Sequence, residues 1–299
     1  MPWSQLLYPP VRYRGRFAPS PSGPLHFGSL IAALGSWLDA RSHGGEWLVR
    51  IEDIDPPRQQ PGADRLILQQ LEAHGLTWDR QPLYQSQRSA AYQQLLDQLQ
   101  QQGLLYVCRC RRNQIKAQGG HQGAACRALA NPLPGALRFA NLNPVERFDD
   151  LLLGPIPVAP AQASEDMVVK RSDGLWGYPL AVVADDLAQG ISHVVRGADL
   201  VEATASQLAL IGALGAQPPA YGHLPLAVVA PGLKLSKQNH APAIEAARAS
   251  ANLDAALCFL GLPPPPSLTG APVTELLAWA VSHYQRARLP AVRELPLAH

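Results

Sequence analysis

The chain has 299 residues, of which 47% are hydrophobic and 16% are charged. These values are typical of a globular protein of one large or two modest domains, and they exclude a disordered or membrane-embedded chain. With 25 Lys and Arg against 23 Asp and Glu, the net charge is only +2, so any nucleic-acid surface has to be a local patch. The 29 prolines argue against a long coiled coil or a simple helical bundle.

Targeting signals are missing from the sequence pattern. The first 14 residues contain no apolar signal-peptide core, and the longest apolar runs, such as 224–230, are much too short to cross a bilayer. We therefore expect a cytoplasmic protein without membrane contact. In that compartment the four cysteines do not predict disulfides, and Cys258, within an apolar helical pattern, is expected to be a buried, unreactive thiol.

Strand and helix patterns alternate through the first hundred residues. A strand begins at Arg14, a loop rich in Pro, Gly and Ser follows, and a helix is predicted from Leu25 or Phe27 to Arg41. A strand over 47–51, an acidic turn and helices over 63–74 and 86–102 come next. This alternation predicts an α/β domain with a parallel sheet.

The segment 107–134 interrupts this pattern and predicts a small insertion. Strand-like runs at 167–171, 178–187 and 191–197 and a helix over 200–214 then predict a second α/β portion that completes the sheet. Helical periodicity returns over 242–259 and 273–288. We divide the chain into a first α/β half, a metal-binding insertion, a second α/β half and a helical C-terminal subdomain, which cover residues 1–107, 108–136, 137–240 and 241–299.

The loop between the first strand and the first helix carries the first chemical motif, RFAPSPSGPLHFGSL over 16–30. A helix N-terminus offers unpaired N–H groups and the positive end of the helix dipole, which suits a phosphate. Gly23 and Gly28 allow close backbone approach, and His26 can donate to a phosphoryl oxygen. Taken alone, the turn is equally compatible with an ordinary strand-to-helix loop.

The second motif is KLSKQ, over 234–238, which holds two of the four lysines of the chain. Chance clustering explains this poorly, because the chain has 21 arginines. A flexible cationic loop can stabilise the transferring phosphate of a nucleotide. A solvated basic loop is the alternative when the motif is considered alone.

Together, the two motifs resemble the signature motifs of class I aminoacyl-tRNA synthetases, and RFAPSPSGPLHFGSL followed by LVRIEDID is most similar to the glutamate-specific branch. YPLAVVADDLAQGISHVVRGADL extends the resemblance, which covers about residues 14–240. It implies a Rossmann-like nucleotide-binding fold, formation of glutamyl-adenylate from ATP with Mg²⁺, and transfer of glutamate to an RNA hydroxyl.

The resemblance also implies roles for individual residues. His26 and Lys237 would stabilise charge on the phosphates as catalytic residues, and Ser29 stands where a second histidine is usual. The ATP-binding residues would be His26, Gly28, Ser29, Lys234, Ser236 and Lys237. The glutamate-binding residues would be Arg16, Phe17, Ala18, Pro19, Ser20, Glu52, Tyr178 and Arg196.

Within the implied glutamate site, the two arginines would pair with carboxylates, Glu52 would accept the α-ammonium, and Tyr178 would close the pocket with its hydroxyl. Each residue has a simpler alternative. Arg196 can form a salt bridge with Asp185 or Asp186, Glu52 can cap a turn, and Tyr178 can belong to the core.

Three cysteines and a histidine form the third motif: Cys108, Cys110, His121 and Cys126. Three thiolates and an imidazole suit a closed tetrahedral zinc site, and reduced cysteines without metal are the alternative. CRC and GGHQGAAC resemble the zinc-bearing insertion of glutamyl-queuosine tRNA(Asp) synthetases. In that family the ligand that comes before the last cysteine is typically a tyrosine. The matching position here is Gln122, a poor zinc ligand, so His121, one residue earlier, is the candidate fourth ligand.

A full glutamyl-tRNA synthetase needs a large C-terminal region to read the anticodon, and the residues after Gln238 are too few to form one. The resemblance therefore implies a monomer without an anticodon-binding domain that transfers glutamate to the queuosine base at the wobble position of tRNA(Asp). A truncated glutamyl-tRNA synthetase that charges a 3′ end is one alternative. A non-catalytic RNA-binding paralogue and a nucleotidyltransferase with a similar phosphate-binding turn are the others.

Overall fold

The computed structural model describes residues 13–235 and 242–297. Two predicted ATP-binding residues, Ser236 and Lys237, lie outside the described residues, and Lys234 is described by its backbone alone. The first part of the chain alternates strands and helices as predicted. Its elements are β1 (Arg14–Phe17), α1 (Phe27–Ser42), β2 (Glu46–Ile51), α2 (Ala63–Ala73), β3 (Leu83–Tyr84) and α3 (Ser89–Gln101).

The middle of the chain forms a second, smaller sheet. Its elements are β4 (Leu105–Cys108), α4 (Arg112–Ala117), α5 (Gly123–Ala128), β5 (Ala136–Phe139), β6 (Arg147–Asp150), β7 (Gly154–Pro157), α6 (Pro160–Ala163) and β8 (Val168–Lys170). Of these, β4, β5 and β8 form the small sheet, with β5 antiparallel to both neighbours, whereas β6 and β7 pair with each other and belong to the sheet of later strands. The antiparallel pair β4 and β5 brackets the two short helices, so the segment that holds three cysteines projects from one end of this sheet.

The rest of the described chain returns to the α/β pattern and ends in helices. Its elements are α7 (Tyr178–Gln189), β9 (His193–Gly197), α8 (Val201–Ala213), β10 (Ala220–Leu224), β11 (Leu226–Ala230), β12 (Leu233–Lys234), α9 (Ala249–Phe259), α10 (Val273–His283) and β13 (Glu294–Pro296). Short 3₁₀ turns precede α9 and follow α10. The predicted helix over 273–288 therefore ends five residues early.

The strands of the two α/β portions form two neighbouring parallel ladders, which together we call the main sheet. β1 is parallel to β2, which is parallel to β3. β9 is parallel to β10 and lies beside β1, where the backbone N–H of Ser192 donates to the carbonyl of Arg14 at 3.0 Å. The carboxyl ends of β1, β2, β9 and β10 consequently meet at one edge of the sheet. Ligands of open α/β sheets bind at such an edge.

Helix α1 connects this sheet to the C-terminal helices. Leu30, Leu34 and Leu38 on α1 are fully buried in a core that also includes residues of α9 and α10. Asp39, also buried on α1, accepts hydrogen bonds from the hydroxyls of Tyr13 and Tyr284 and from the guanidinium of Arg286. These bonds join the end of the chain to the start of the sheet.

Two sequence expectations are wrong. The run 178–187 is a helix and not a strand: Pro179 fits the first helical turn, Gly190 adopts the left-handed conformation that ends a helix, and the buried residues of α7 pack against α3 and α8. Cys258 is exposed, because the buried face of α9 contains Leu253, Ala256 and Leu257 and leaves position 258 outside. Within the described ranges, no helix has the length and apolar character required to span a membrane.

Candidate active site

A cleft with a volume of about 590 Å³ lies at the carboxyl edge of the main sheet. We call it the main lobe. It brings together every predicted glutamate-binding residue and three of the predicted ATP-binding residues. These are Arg16, Phe17, Ala18, Pro19, Ser20, His26, Gly28, Ser29, Glu52, Tyr178 and Arg196. Arg16 and Phe17 lie on β1, and Ala18 to His26 lie in the loop that follows it. The ends of β2 and β9 supply Glu52 and Arg196.

Arg16 is a buried arginine whose charge is already neutralised. Its Nε and Nη2 donate to the two carboxylate oxygens of Asp186 on α7, at 3.1 and 3.2 Å. Arg50 on β2 donates to the same carboxylate at 2.7 Å. Burial opposes ionisation of Asp186, but the two guanidinium groups outweigh it and lower the pKa of Asp186 to about 2. Arg16 therefore enters the main lobe as part of a fixed cluster of two arginines and one carboxylate.

Arg196 is held only by neutral groups. Its Nε donates to Nε2 of His223 at 3.2 Å, and its Nη2 donates to the hydroxyl of Thr204 and the amide oxygen of Gln207, at 2.8 and 2.9 Å. Within the described chain, no carboxylate lies within ion-pair distance of Arg196, and its buried Nη1 has no hydrogen-bond partner. The expected alternative, a salt bridge to Asp185 or Asp186, is thus wrong.

A buried cation without a counter-ion is unfavourable. Arg196 is 5% exposed, and burial is the main cause that lowers the pKa of its guanidinium. An anion in the main lobe would give this charge its missing partner and give Nη1 a hydrogen-bond acceptor. The local structure therefore favours binding of a carboxylate or a phosphate at this position.

The tautomer of His223 determines which of its ring nitrogens can accept a hydrogen bond from Arg196. Because Nε2 of His223 accepts from Arg196, the ring proton lies on Nδ1, which donates to the carboxylate of Asp150 at 2.6 Å. Burial is the largest cause that lowers the pKa of His223, and the positive charge of Arg196 lowers it further. The neutral ring is consequently the form that matches this arrangement. Asp150 is in turn fixed by the backbone N–H groups of Leu152 and Leu153.

Glu52 is one of two acidic residues that line the main lobe, together with Asp199. Its carboxylate lies 3.5 Å from Nη2 of Arg50. Burial raises its pKa, while Arg50 and Arg16 act in the opposite direction. Burial and the charge of Glu52 raise the pKa of Tyr178, so its hydroxyl keeps its proton and can donate. An ammonium group beside Glu52 would stabilise the ionised carboxylate.

His26 caps the N-terminus of α1. Its Nδ1 accepts from the backbone N–H of Ser29 at 3.3 Å, so the proton of the neutral ring is on Nε2. A Cβ at position 28 would lie 3.1 Å from the His26 ring, and Gly28 thus permits the close packing of the ring on the helix start. The arrangement places an N–H donor beside a helix N-terminus, which suits a phosphate.

The residues on either side of the undescribed segment lie at the same cleft. Leu235 lines the main lobe, and Ala243 pairs with His26 in an isolated β-bridge. The buried side chain of Gln70 accepts from the N–H of Leu25 at 2.7 Å and donates to the carbonyl of Ile244 at 2.9 Å. Segment 242–244 is thereby joined to the first sequence motif.

A second cavity of about 550 Å³, the side lobe, adjoins the main lobe. The two share Ser20, Ser22, Glu52, Arg58 and Tyr178 as lining residues. The side lobe extends from this junction toward the small sheet. Its own wall includes Ile54, Gln85, Arg138, Met167, Arg171 and Trp176.

The predicted metal ligands form one cluster. The ligand atoms of Cys108, Cys110, His121 and Cys126 all lie within 4.8 Å of one another. Sγ of Cys110 and of Cys126 are 3.8 Å apart, and Sγ of Cys108 is 3.4 Å from Nε2 of His121. A tetrahedral zinc ion with bonds of about 2.3 Å to sulfur and about 2.0 Å to nitrogen has ligand separations of this size. The four residues therefore fit zinc.

The electrostatics of the cluster agree with this fit. Burial opposes ionisation of Cys108, but the backbone N–H of Cys110 and the guanidinium of Arg138 lower its pKa. Burial and the two neighbouring sulfurs raise the pKa of Cys126 to about 12. A divalent cation between the sulfurs would remove this mutual repulsion.

Sequence reasoning missed the residues that hold the two arginines. Asp186 and Arg50 were not assigned to the site, and neither were His223 and Asp150. Only one signal was available: two adjacent acids inside an apolar run indicate buried ion pairing. That signal identifies Asp186 as a buried partner without saying which arginine it meets.

Comparison with known proteins identifies the fold family. The family model "tRNA synthetases class I (E and Q), catalytic domain" matches residues 12–137 and 126–258. The chain belongs to this family. The predicted α/β class I synthetase fold is thereby confirmed, and so is the prediction of an enzyme of the ligase type. A nucleotidyltransferase is not supported.

Curated relatives match nearly the whole chain. The glutamyl-Q tRNA(Asp) synthetase of Shewanella amazonensis (strain ATCC BAA-1098 / SB2B) is 54% identical over 283 residues, which is 95% of this chain and 96% of the relative. The protein of the same name from Vibrio cholerae serotype O1 is 49% identical over 288 residues, which is 96% and 95% of the two chains.

Solved structures show the same fold. A glutamate tRNA ligase from Elizabethkingia meningosepticum, in complex with its amino acid, has a TM-score of 0.78 and 23% identity, and the match covers 96% of this chain and 67% of that one. A glutamate-tRNA synthetase from Elizabethkingia anophelis gives a TM-score of 0.79 at 22% identity, over 96% and 68%.

Proposed function

We propose that this protein activates L-glutamate with ATP and transfers it to the queuosine base at the wobble position of tRNA(Asp). The names of the curated relatives, at about half identity over nearly their whole length, support this acceptor. The observation that carries the amino-acid assignment is Arg196, a buried cation without a carboxylate partner among the described residues, in a cleft that also contains Glu52 and Arg16. One cation, one carboxylate and one neutralised arginine complement a diacid with an α-ammonium.

The two carboxylates of glutamate differ in what happens to their charge. The side-chain carboxylate stays ionised throughout, so it belongs at Arg196, which needs a permanent counter-ion. The α-carboxylate has to attack the α-phosphate of ATP. Arg16, already paired with Asp186, can orient this carboxylate without stabilising its charge so strongly that attack is slowed. Glu52 accepts the α-ammonium, and Tyr178 closes the pocket.

In the first step, an α-carboxylate oxygen forms a bond to the α-phosphorus, and the bond from that phosphorus to the bridging oxygen of pyrophosphate breaks. Pyrophosphate leaves with the electron pair, and Mg²⁺ accompanies ATP to offset the triphosphate charge. His26 and the N-terminus of α1 stabilise the phosphate charge. Lys237, Lys234 and Ser236 complete this ATP site in the proposal, together with Gly28 and Ser29.

In this proposal zinc has a structural role and no catalytic role. Cys108, Cys110, Cys126 and His121 would hold one zinc ion in a closed site, which stabilises the fold of segment 108–136 and takes no part in the reaction. We extend the proposal to the four-part division of the chain, to a monomeric enzyme and to action in the cytoplasm, where tRNA is available.

The test is transfer of labelled glutamate, with ATP and Mg²⁺, into total tRNA from queuosine-sufficient cells and from matched queuosine-deficient cells. Label in the first pool alone is the expected result. Equal label in both pools would favour 3′-end charging by a shortened glutamyl-tRNA synthetase. Label in neither, with no glutamate-dependent ATP–pyrophosphate exchange, would favour the non-catalytic paralogue.

A further inference from the structure

Of the described residues assigned to the phosphates, none lines the side lobe. His26, Gly28 and Ser29 line only the main lobe. The two lobes meet at Glu52 and Tyr178, the residues assigned to the amino-acid end of the adenylate. A molecule in the side lobe would consequently lie beside the residues assigned to the amino-acid end of the adenylate.

Two buried polar atoms on the side-lobe wall lack hydrogen-bond partners. Gln85 is fully buried and uses its Nε2 to donate to Asp185 at 3.0 Å, but its Oε1 has no partner among the described residues. Arg138 is 6% exposed and donates through Nη1 to the carbonyl of Asp166, while its Nε has no partner in the same part of the chain. An unpaired buried acceptor and donor cost free energy until a ligand or water pairs with them.

Trp176 supplies a flat surface on the same wall. Its Nε1 donates to Ser89 at 3.2 Å, its ring and that of Tyr92 are T-shaped with centroids 5.6 Å apart, and the ammonium of Lys170 lies over the indole ring, 4.4 Å from its centroid. These contacts fix the orientation of the indole. Together with the apolar side chains of Ile54 and Met167, it forms a wall on which a nucleobase can stack.

Arginines surround the opening of the side lobe. Arg112, from the cysteine-bearing insertion, is exposed, and Arg58 and Arg171 are largely or partly exposed. Asp55 forms ion pairs with Arg58 and Arg171. Of these three arginines, Arg112 is the one without an ion pair to Asp55. The phosphates on either side of a bound nucleoside could form ion pairs with these arginines.

We propose that the side lobe binds a single nucleoside turned out of an RNA loop, with its base against Trp176, its polar edge at Gln85 and Arg138, and a flanking phosphate at Arg112. This inference rests on the proposed function. A hydroxyl carried by a base reaches a buried adenylate only after the base leaves its stack. The hydroxyl oxygen then bonds to the glutamyl carbonyl carbon, the bond from that carbon to the phosphate oxygen breaks, AMP leaves with the electron pair, and the hydroxyl proton goes to solvent.

The test separates the two steps in the full-length protein. Glutamate-dependent ATP–pyrophosphate exchange without RNA measures activation, and labelled glutamate measures transfer to an anticodon stem-loop of tRNA(Asp) with queuosine. We expect Trp176→Ala to lower the ratio of transfer to activation by at least about tenfold, which corresponds to loss of one stacking contact. Trp176→Phe, which keeps an aromatic face, should restore most of the ratio.

Equilibrium binding of the same stem-loop, with and without the modified base, gives the second measurement. The wild-type protein should prefer the modified RNA, and Trp176→Ala should abolish the preference. Arg112→Ala should weaken binding of both RNAs equally and reduce the slope of log affinity against log salt by about 0.7. Arg147→Ala removes one exposed charge from β6, outside both lobes, and is the matched control.

The outcomes distinguish the two proposals. If the wild-type protein forms no adenylate or labels no RNA, the proposed function fails. If it does both, Trp176→Ala retains the wild-type ratio and preference, and Arg112→Ala retains the wild-type affinity and salt dependence, the side-lobe inference is overturned while the function stands. Equal loss of activation and transfer in Trp176→Ala, without rescue by phenylalanine, also overturns it, because that pattern indicates a structural role.

Discussion

Two buried arginines face the same cleft, and the chain holds them in different ways. Arg16 is paired with Asp186, which it shares with Arg50. Arg196 is held by His223, Thr204 and Gln207, all of them neutral acceptors. Arg16 has a carboxylate partner within the protein, whereas Arg196 has none among the described residues. Burial alone therefore does not identify a ligand-binding arginine. The hydrogen-bond and ion-pair partners of each buried arginine indicate whether its charge is already compensated.

The largest expected effect comes from removing each arginine in turn. Arg196→Met should lower kcat/KM for glutamate in ATP–pyrophosphate exchange by about 10³-fold, because truncating one side of a buried charge pair costs about 4 kcal/mol. Arg16→Met should cost about tenfold to a hundredfold, since Arg50 still compensates Asp186. Steady-state kinetics at saturating ATP measures both. Equal losses in the two variants would contradict the difference between the arginines.

Neutralising Asp186, which supports Arg16, should lower stability more than neutralising Asp150, which supports Arg196 through His223. Asp186→Asn leaves Arg16 buried without its counter-ion and Arg50 with only Glu52 at 3.5 Å, and it should lower the free energy of unfolding by about 3 to 5 kcal/mol. Asp150→Asn breaks a hydrogen bond to a neutral histidine and should cost about 1 to 3 kcal/mol. Denaturant unfolding at pH 7.5 gives both values, and the reverse order would argue against the assignment.

The pKa of Asp186 predicts how stability depends on pH. The folded-state pKa is lowered to about 2, so the carboxylate contributes stability that is complete above its unfolded pKa of about 3.9. This contribution should be lost as the pH falls from 3.9 toward 2. In Asp186→Asn the unfolding free energy should fall less steeply over that window, and identical slopes would contradict the prediction.

The neutral ring of His223 predicts a milder pH effect on glutamate binding. Burial lowers the pKa of His223, with Asp150 and Glu202 acting against Arg196, so the ring is neutral at pH 7. On acidification below about 6.5, protonation converts Nε2 to a donor that can no longer accept from Arg196. KM for glutamate should rise severalfold before kcat changes.

His223→Gln is the matched variant for this prediction. Its amide oxygen can accept from Arg196 and its amide nitrogen can donate to Asp150, but the side chain does not titrate. The variant should keep a KM close to that of the wild type at pH 7.5 and lose the rise in KM at lower pH. A rise of the same size in this variant would assign the pH effect to another group.

Metal removal should have the smallest effect on activation. Cys108→Ser should lower the bound zinc from about one ion per chain to near zero and lower the Tm, because a closed structural site contributes to folding. KM for glutamate should change less than about twofold, since the arginine clusters lie outside the insertion. Cys258→Ser, which alters an exposed thiol of α9, is the control for metal content and Tm.

The sequence was informative where function depends on local motifs. The strand, loop and helix around His26 depend on residues adjacent in the chain, so the pattern predicted both the elements and the residues that line the main lobe. The grouping of Cys108, Cys110, His121 and Cys126 was also predictable, because the four residues lie within nineteen positions of the chain.

The supporting residues were not predictable, since they depend on contacts across the chain. Asp186 meets Arg16 over 170 residues and His223 meets Asp150 over 73, and no local pattern specifies such pairs. The same limit explains α7. Its apolar run with two valines favours a strand locally. Packing against α3 and α8, together with Pro179 in the first turn and Gly190 at the end, makes it a helix.

Discrimination between glutamate and glutamine tests the account of Arg196 most directly. Glutamine has nearly the same shape but lacks the charge, so the ratio of kcat/KM for the two amino acids in ATP–pyrophosphate exchange measures recognition of the side-chain carboxylate alone. The wild-type protein should prefer glutamate strongly, and Arg196→Met should lower that ratio by at least about a hundredfold. An Arg196→Met variant that loses activity equally toward both amino acids would contradict the assignment of the side-chain carboxylate to Arg196.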